Sequence, residues 1–194
     1  LCFDLLEKAA KARGEARIVN HSSIARKQVK SLEAPYLQKN GGNLGGNGAS
    51  MFFGGSRWVR YGQTKLANAA FTACLHEKLQ ASGSKVKALV AHPGLAETDL
   101  QSTTVREGGM GEWFTKQLMK TGQSREDGTL GILTCIAHSD AQSGQFFGPG
   151  MGGMFTALKG PAKGYPLEAS YDNPSTRQIL WTNSCAAIGE DFNI

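Results

Sequence analysis

Tyr61 and Lys65 are the two residues of this sequence best suited to proton transfer. They are four positions apart in Tyr61-Gly-Gln-Thr-Lys65, so on a helix their side chains share one face. A free phenol has a pKa of ~10 and exchanges protons reluctantly at neutral pH, but a nearby ammonium stabilises the phenolate. The spacing therefore indicates a tyrosine general acid or base. The alternative is a surface Tyr beside a surface Lys.

Hydroxyl residues follow two predicted strands, one on each side of that helix. Ser22-Ser23 end the apolar run 16–20, and Thr98 follows Pro93-Gly94 after the run 86–91. In parallel α/β sheets, ligands bind beyond the carboxyl ends of the strands. We therefore expect the hydroxyls and the Tyr–Lys pair to converge on one crevice, with plain turns after the two strands as the alternative.

Predicted helices and strands alternate along the chain. Apolar periodicity and capping residues predict helices at residues 1–13, about 58–80, around 113–119, 125 to about 138, and from 174 to a stop at Gly189. Short apolar runs predict strands at 16–20, 86–91 and 145–147, and the Gly- and Pro-rich residues 149–172 are predicted to be loop. Strands separated by helices favour an α/β fold with a doubly wound parallel sheet in a single domain over residues 1–194.

A glycine-rich stretch interrupts this pattern. Glycine occupies seven of the fifteen positions from 41 to 55, and neither a helical nor a strand period survives there. The stretch contains no G-x-G-x-x-G and does not join a strand to a helix, so it does not predict a phosphate-binding loop. We interpret residues 24–57 as an inserted Gly-rich loop, either mobile or held by a partner.

Composition excludes several classes of protein. The chain has 194 residues and a formal net charge of +5, and no apolar run approaches the ~18–20 residues of a transmembrane segment. No basic run is interleaved with aromatic residues, which argues against nucleic-acid binding. The four cysteines form no CxxC pair, so no metal site is predicted and a reducing compartment is favoured. We therefore expect an intracellular protein, soluble or peripherally associated, in the cytoplasm or an organelle matrix.

Three segments taken together resemble a known family. Residues 17–23 (Arg-Ile-Val-Asn-His-Ser-Ser), residues 61–68 (Tyr-Gly-Gln-Thr-Lys-Leu-Ala-Asn) and residues 92–98 (His-Pro-Gly-Leu-Ala-Glu-Thr) resemble the short-chain dehydrogenase/reductases. The likeness is greatest to the retinol-dehydrogenase and WW-domain-oxidoreductase-like branch. The segments occur in family order and the resemblance covers essentially the whole chain. It implies a Rossmann-like fold and an oxidoreductase that transfers hydride between NADP, or NAD, and a carbonyl or alcohol substrate.

The resemblance also implies a role for each matching residue. Ser23 would hydrogen-bond the substrate carbonyl and Tyr61 would be the general acid or base. Lys65 would stabilise the Tyr61 phenolate and hold the nicotinamide ribose. Pro93-Gly94 and Thr98 would lie along the nicotinamide. The substrate would be small and lipophilic.

The chain departs from the family pattern in two respects. It lacks the glycine-rich phosphate loop, the Asn-Ala-Gly segment and the catalytic Asn that would lie upstream of residues 1–13. The resemblance therefore implies the C-terminal portion of a family domain, with the N-terminal nucleotide-binding half absent from this sequence. Ser23 and Tyr61 are also 38 positions apart, a longer gap than most members have, and the extra length includes the Gly-rich stretch.

Three questions stay open at this point. The missing half makes a non-catalytic, dehydrogenase-like structural subunit of a larger protein assembly the alternative function. His21 is either a core histidine or a catalytic one. Five apolar residues where the family places its substrate-covering helix either line an apolar pocket or form the helix's core stripe, namely Met110, Trp113, Phe114, Leu118 and Met119.

Overall fold

A computed structural model describes residues 2–39, 44–50, 52–150, 158–192 and 194. Helices and strands alternate through most of this part of the chain. The helices are α1 (Phe3–Arg13), α2 (Gly55–Ala81), α3 (Asp99–Arg106), α4 (Glu112–Met119), α5 (Arg125–Ala137) and α6 (Pro174–Ile188), and the strands are β1 (Ala16–His21), β2 (Val86–Ala91), β3 (Gln145–Pro149) and β4 (Ala162–Pro166).

The four strands form one sheet in the order β1-β2-β3-β4. The first three strands are parallel, and β4 runs antiparallel to β3. Register aligns Ala16 with Val86 and His21 with Ala91, so β1 and β2 end side by side. The segments that follow these two strands therefore leave the sheet at the same edge.

Helices cover both faces of the sheet. On β2, Val90 packs with residues of α2 and α6, whereas its neighbours Leu89 and Ala91 pack with Cys135 of α5. Alternate residues of a strand point to opposite faces, and all three β2 residues are fully buried. This explains why β2 is a continuous apolar run rather than an alternating one. The mixed α/β fold predicted from the sequence is confirmed.

The loop predicted over residues 149–172 is wrong in part, because β4 lies within it. Only Tyr165 of β4 is buried, so the segment shows no apolar run. Gly164 is typical of a loop in sequence, but the strand requires a glycine at this position. A Cβ there would lie 2.8 Å from the ring of Phe147, which is too close. The sheet is accordingly mixed rather than wholly parallel. Residues 151–157 of the predicted loop lie outside the described residues.

The Gly-rich insertion is more structured than its sequence indicates. Two 3₁₀ turns cover Ile24–Gln28 and Ala34–Leu37, and α2 begins at Gly55, before the predicted end of the insertion. The described residues 44–50 are held by this chain itself, because Arg57 and Arg60 of α2 donate to the carbonyls of Asn47 and Gly46. Residues 40–43 and 51 of the insertion lie outside the described part of the chain.

One edge of the sheet is open within the described residues. β1 pairs only with β2, and its other edge presents unpaired backbone groups. Next to it, α5 exposes the apolar stripe Leu130, Leu133 and Ile136, with 39%, 52% and 54% of their surfaces accessible. A contiguous exposed apolar face of this kind favours association with another polypeptide.

We predict that residues 1–194 expressed alone do not melt as a cooperative monomer. The unpaired β1 edge and the apolar face of α5 would then lie in water and promote association. A thermal melt followed by circular dichroism, with light scattering recorded in parallel, checks this. Adding a polypeptide segment or a partner chain that pairs with the free edge of β1 should restore a sharp transition. A cooperative, monomeric and NADP-stabilised melt of the 194 residues alone would contradict the prediction.

Candidate functional site

Tyr61 and Lys65 lie on one face of α2, as their spacing predicts. The Lys65 Nζ atom is 5.7 Å from the centre of the Tyr61 ring, and both side chains are half-buried. Burial lowers the pKa of Lys65. The ammonium donates one hydrogen bond, 3.3 Å long, to the carbonyl of His21 at the end of β1.

Side-chain hydrogen bonds fasten this face of α2 to the carboxyl end of β1. Ser22 Oγ donates to the carbonyl of Lys65 at 2.7 Å, and Asn68 Nδ2 donates to the carbonyl of His21 at 2.8 Å. Ser22 is buried, so it fixes the helix backbone at Lys65. The Tyr–Lys pair therefore sits at the strand ends, where the sequence predicted a crevice.

Ser23 begins the segment that packs against the same helix. Its Oγ accepts a 3.2 Å hydrogen bond from the amide of Ala25 and caps the first 3₁₀ turn. Because the oxygen accepts here, the hydroxyl proton remains available for donation. Gly62, next to Tyr61, lets this turn approach α2, since a Cβ there would be 3.0 Å from the carbonyl of Ala25.

The segment after β2 is held in one conformation by close packing. Gly94 has φ +70°, and a Cβ on it would collide with the carbonyl of Leu158, so both the backbone angle and the space require glycine. Gln123 clamps the segment from the other side. Its Nε2 donates to the carbonyl of Pro93 at 2.7 Å and its Oε1 accepts from the amide of Gly160 at 2.9 Å.

Thr98 is exposed and forms the N-cap of α3. It takes part in a capping box with Gln101, donating from Oγ1 to that residue's Oε1 at 2.9 Å. The structure therefore explains this hydroxyl as a helix cap. Contact between Thr98 and a nicotinamide stays a prediction.

His92, which immediately follows β2, is almost completely buried. Its Nδ1 accepts from the amide of Gly94 at 3.1 Å, and its Nε2 lies 3.1 Å from the Oη of Tyr165. Since Nδ1 accepts from an amide, the ring proton is on Nε2. Burial, with smaller contributions from the charges of Arg26 and Lys27, lowers the pKa of His92 to about 3.

A row of aromatic rings runs from Tyr61 into the insertion. The ring of Trp58 lies 5.7 Å from that of Tyr61, and Phe53 lies 4.6 Å from Trp58. Phe114 of α4 then contacts both Phe53 and Phe52, at 5.9 and 4.9 Å. All four contacts are edge-to-face, the arrangement that aromatic pairs prefer.

The five apolar residues left open from the sequence form neither one core stripe nor the lining of one pocket. Met110 is buried, and Phe114 belongs to the aromatic row. Trp113 is 74% exposed, so it belongs neither to a core stripe nor to an enclosed pocket. Leu118 and Met119 are half-buried on α4.

Some residues that shape the site were missed from the sequence. Asn68 follows Lys65 by three positions, so its place on the same helix face could have been read from the spacing. Gln123 and Arg26 gave no such signal, because Gln123 contacts Pro93 across 30 positions of the sequence and Arg26 contacts Glu168 across 142.

No family model matches the chain, and no curated protein matches it. Among solved structures it is similar to an uncharacterized protein from Mycobacterium paratuberculosis, with 22% sequence identity and a TM-score of 0.58. The alignment covers 93% of this chain and 53% of that one, so this chain spans about half the length of its neighbour. The likeness is one of fold.

Two further findings concern the described residues. They contain no cluster of three or more His, Cys, Asp or Glu side chains arranged to hold a metal ion. They also contain no helix with the length and apolarity needed to cross a membrane.

We predict that His92 makes the protein less stable in acid. The pKa of His92 is about 3 in the folded state and ~6.5 in the unfolded state. Between about pH 3 and 6.5 the unfolded protein therefore binds a proton at His92 and the folded protein does not. The free energy of unfolding is therefore unaffected by this group above about pH 6.5. It falls by up to about 1.4 kcal/mol per pH unit as the pH drops towards 3. Urea unfolding of the full-length protein and of His92→Gln, between pH 4 and 7, checks this. The difference in unfolding free energy should shrink in acid, and a constant difference would contradict the assignment.

Proposed function

We propose that this chain carries the catalytic residues of an oxidoreductase with a Rossmann-like fold, of the short-chain dehydrogenase/reductase kind. It would transfer hydride between NADP(H), or NAD(H), and a carbonyl or alcohol. The observation that supports this most directly is the Tyr61–Lys65 face of α2, fastened to the carboxyl end of the parallel strand β1 beside Ser23.

In the direction of reduction, the protein's own residues would handle the proton and the substrate oxygen. Ser23 would donate a hydrogen bond from its hydroxyl group to the carbonyl oxygen and so orient the substrate, keeping its own proton. Tyr61 would give its phenolic proton to that oxygen as negative charge develops there. Lys65, held beside the ring, would stabilise the resulting phenolate. In the direction of oxidation the same groups would act in reverse, with Tyr61 as the base.

The residues present fit a nicotinamide cofactor, which when bound supplies or accepts the hydride. The ammonium of Lys65 has three N–H donors, and within the described residues one of them is used, at His21. Two donors therefore remain for the ribose hydroxyls. Pro93 and Gly94 would line the nicotinamide through their backbone, because the side-chain position of Gly94 is filled by the carbonyl of Leu158.

The aromatic row supports an apolar substrate. Trp58 joins Tyr61 to Phe53 through edge-to-face contacts, and the Trp58 indole is fixed by a 2.9 Å hydrogen bond from its Nε1 to the carbonyl of Gly109. A rigid apolar wall next to the proton donor favours a lipophilic carbonyl or alcohol over a charged one.

A second candidate is a non-catalytic structural subunit of a larger assembly. The open edge of β1 and the exposed stripe of Leu130, Leu133 and Ile136 favour it, because such a surface suits the attachment of another polypeptide. Under this proposal the Tyr–Lys pair would be idle, so substituting Tyr61 separates the two candidates.

We predict that Tyr61→Phe lowers kcat by roughly 10²–10⁴. The substitution removes only the phenolic oxygen, so binding of the nicotinamide cofactor should persist. Steady-state kinetics on the full-length protein, with NADPH and a panel of lipophilic aldehydes and ketones, provide the rate, and cofactor fluorescence provides the affinity. Equal turnover in the wild type and in Tyr61→Phe would overturn the catalytic role, and absence of turnover in both would favour the structural subunit.

We predict that Lys65→Ala lowers both kcat and the affinity for the cofactor, because it removes the charge beside the phenol and the donors for the ribose. Lys78→Ala is the matched control. It lies on the same helix, thirteen residues after Lys65, and its ammonium sits 4.4 Å from the ring centre of Trp181 on α6. Cofactor titration and kinetics should separate the two variants, and identical behaviour would contradict the assignment.

A further inference from the structure

Arg26 is a charged side chain buried directly behind the candidate site. It lies in the 3₁₀ turn that Ser23 caps, and 1% of its side-chain surface is accessible. Its Nη2 donates to the carboxylate of Glu168 at 2.6 Å, after the end of β4. Burying a guanidinium costs free energy that one ion pair rarely recovers, so this residue calls for an explanation beyond stability.

The guanidinium also reaches the backbone of Ser23. Arg26 Nη1 donates to the Ser23 carbonyl at 3.1 Å, and the backbone amide of Arg26 donates to the same oxygen at 3.1 Å. Two donors from one residue thus hold the peptide group that carries the proposed substrate-orienting hydroxyl.

His92 does the equivalent for the other strand end. Its Nδ1 accepts from the Gly94 amide at 3.1 Å, and its Nε2 is 3.1 Å from Tyr165 on β4. Burial raises the pKa of Tyr165 to about 12 and lowers that of His92 to about 3. Both groups therefore keep one protonation state, and the His92 contacts do not alter across ordinary pH.

The ring of Phe146 on β3 joins these two clamps. The Arg26 guanidinium carbon lies 4.2 Å from its centre, His92 lies 5.5 Å away, and Tyr165 stacks on it at 5.2 Å. Arg26 and His92 thus rest on one fully buried aromatic ring. The segment after β1 and the segment after β2 are therefore both held, through Arg26 and His92, against the same side chain of β3.

We infer that Arg26 and His92 are positioning residues, which act through the Ser23 carbonyl and the Gly94 amide to hold the two strand-end segments at a fixed separation. The inference rests on the proposed function, in which Ser23 orients the substrate carbonyl and Gly94 borders the nicotinamide. That separation then sets the distance over which hydride is transferred. The alternative is that the cluster only stabilises the core.

The closing experiment compares His92→Asn with His92→Gln in the full-length protein. Both remove the imidazole, but the Asn amide oxygen takes the place of Nδ1 and keeps the Gly94 contact, whereas the Gln amide nitrogen takes the place of Nε2 and keeps Tyr165. Amide hydrogen exchange at Gly94, measured by NMR, should be faster in His92→Gln than in His92→Asn. In the same variants kcat should fall by up to about 10²-fold for Gln and little for Asn, with KM for NADPH unchanged.

Arg26 is tested with a second matched pair. Arg26→Lys keeps a cation for Glu168 but loses the fork that also reaches Ser23, so kcat should fall while the thermal midpoint changes little. Lys27→Met removes the neighbouring charge, which lies 3.5 Å from the same Glu168 carboxylate, and should leave kcat unchanged. A core-stabilising role alone would shift the thermal midpoint and leave the kcat of the folded protein intact.

The results of these two comparisons either support or overturn the positioning role of Arg26 and His92. Equal Gly94 exchange in His92→Asn and His92→Gln overturns the inference, and so does wild-type kcat in His92→Gln or Arg26→Lys. Faster exchange with a lower kcat supports it. If the wild-type protein transfers no hydride, the proposed function fails. The exchange comparison then still shows whether His92 holds Gly94.

Discussion

The architecture depends on the way α2 is fastened across the end of β1. The carbonyl of His21 lies at the end of β1, which within the described residues pairs with β2 alone, and it accepts from both Lys65 Nζ and Asn68 Nδ2. Ser22 completes the attachment by donating to the carbonyl of Lys65. Backbone groups at a strand end need hydrogen-bond partners. At the end of β1 these partners come from the face of α2 that carries Tyr61 and Lys65. The same hydrogen bonds therefore pack the helix on the strand and position the candidate site.

Small residues on α2 make that attachment geometrically feasible. Ala69, Ala70 and Ala73 are buried with at most 1% of their surface accessible, and Gly62 touches the 3₁₀ turn behind Ser23. A helix with larger side chains on this face would stand farther from the sheet, and the bonds from Lys65 and Asn68 to β1 would be too long. The close approach of α2 to the sheet therefore explains why this face carries alanines. Leu66 is the larger buried apolar side chain in this stretch.

The sequence predicts the parts of the site that lie on regular elements. Tyr61 and Lys65 share a face because the helical period requires it, and Ser22 and Ser23 follow β1 because the apolar run ends there. What pattern reasoning misses are contacts set by tertiary structure. Arg26 lies in a short 3₁₀ turn that has no periodic signal, and its ion-pair partner Glu168 lies 142 positions away. β4 escapes prediction for the same reason, since Tyr165 is buried by its neighbours and the flanking residues face solvent.

The insertion has a physical role that its composition conceals. A stretch so rich in glycine pays a large ordering entropy, yet the described residues 44–50 are held by Arg57 and Arg60. Ser50 also bonds through its amide to the carbonyl of Gly108 ahead of α4. These bonds bring Phe52 and Phe53 against Phe114 and Trp58. The glycines let the backbone fold closely over the start of α2, and the aromatic residues that follow them recover apolar contact. Phe53 of the insertion thus packs on Trp58, which in turn contacts Tyr61. The glycine-rich part and the aromatic end of the insertion are both needed for this packing.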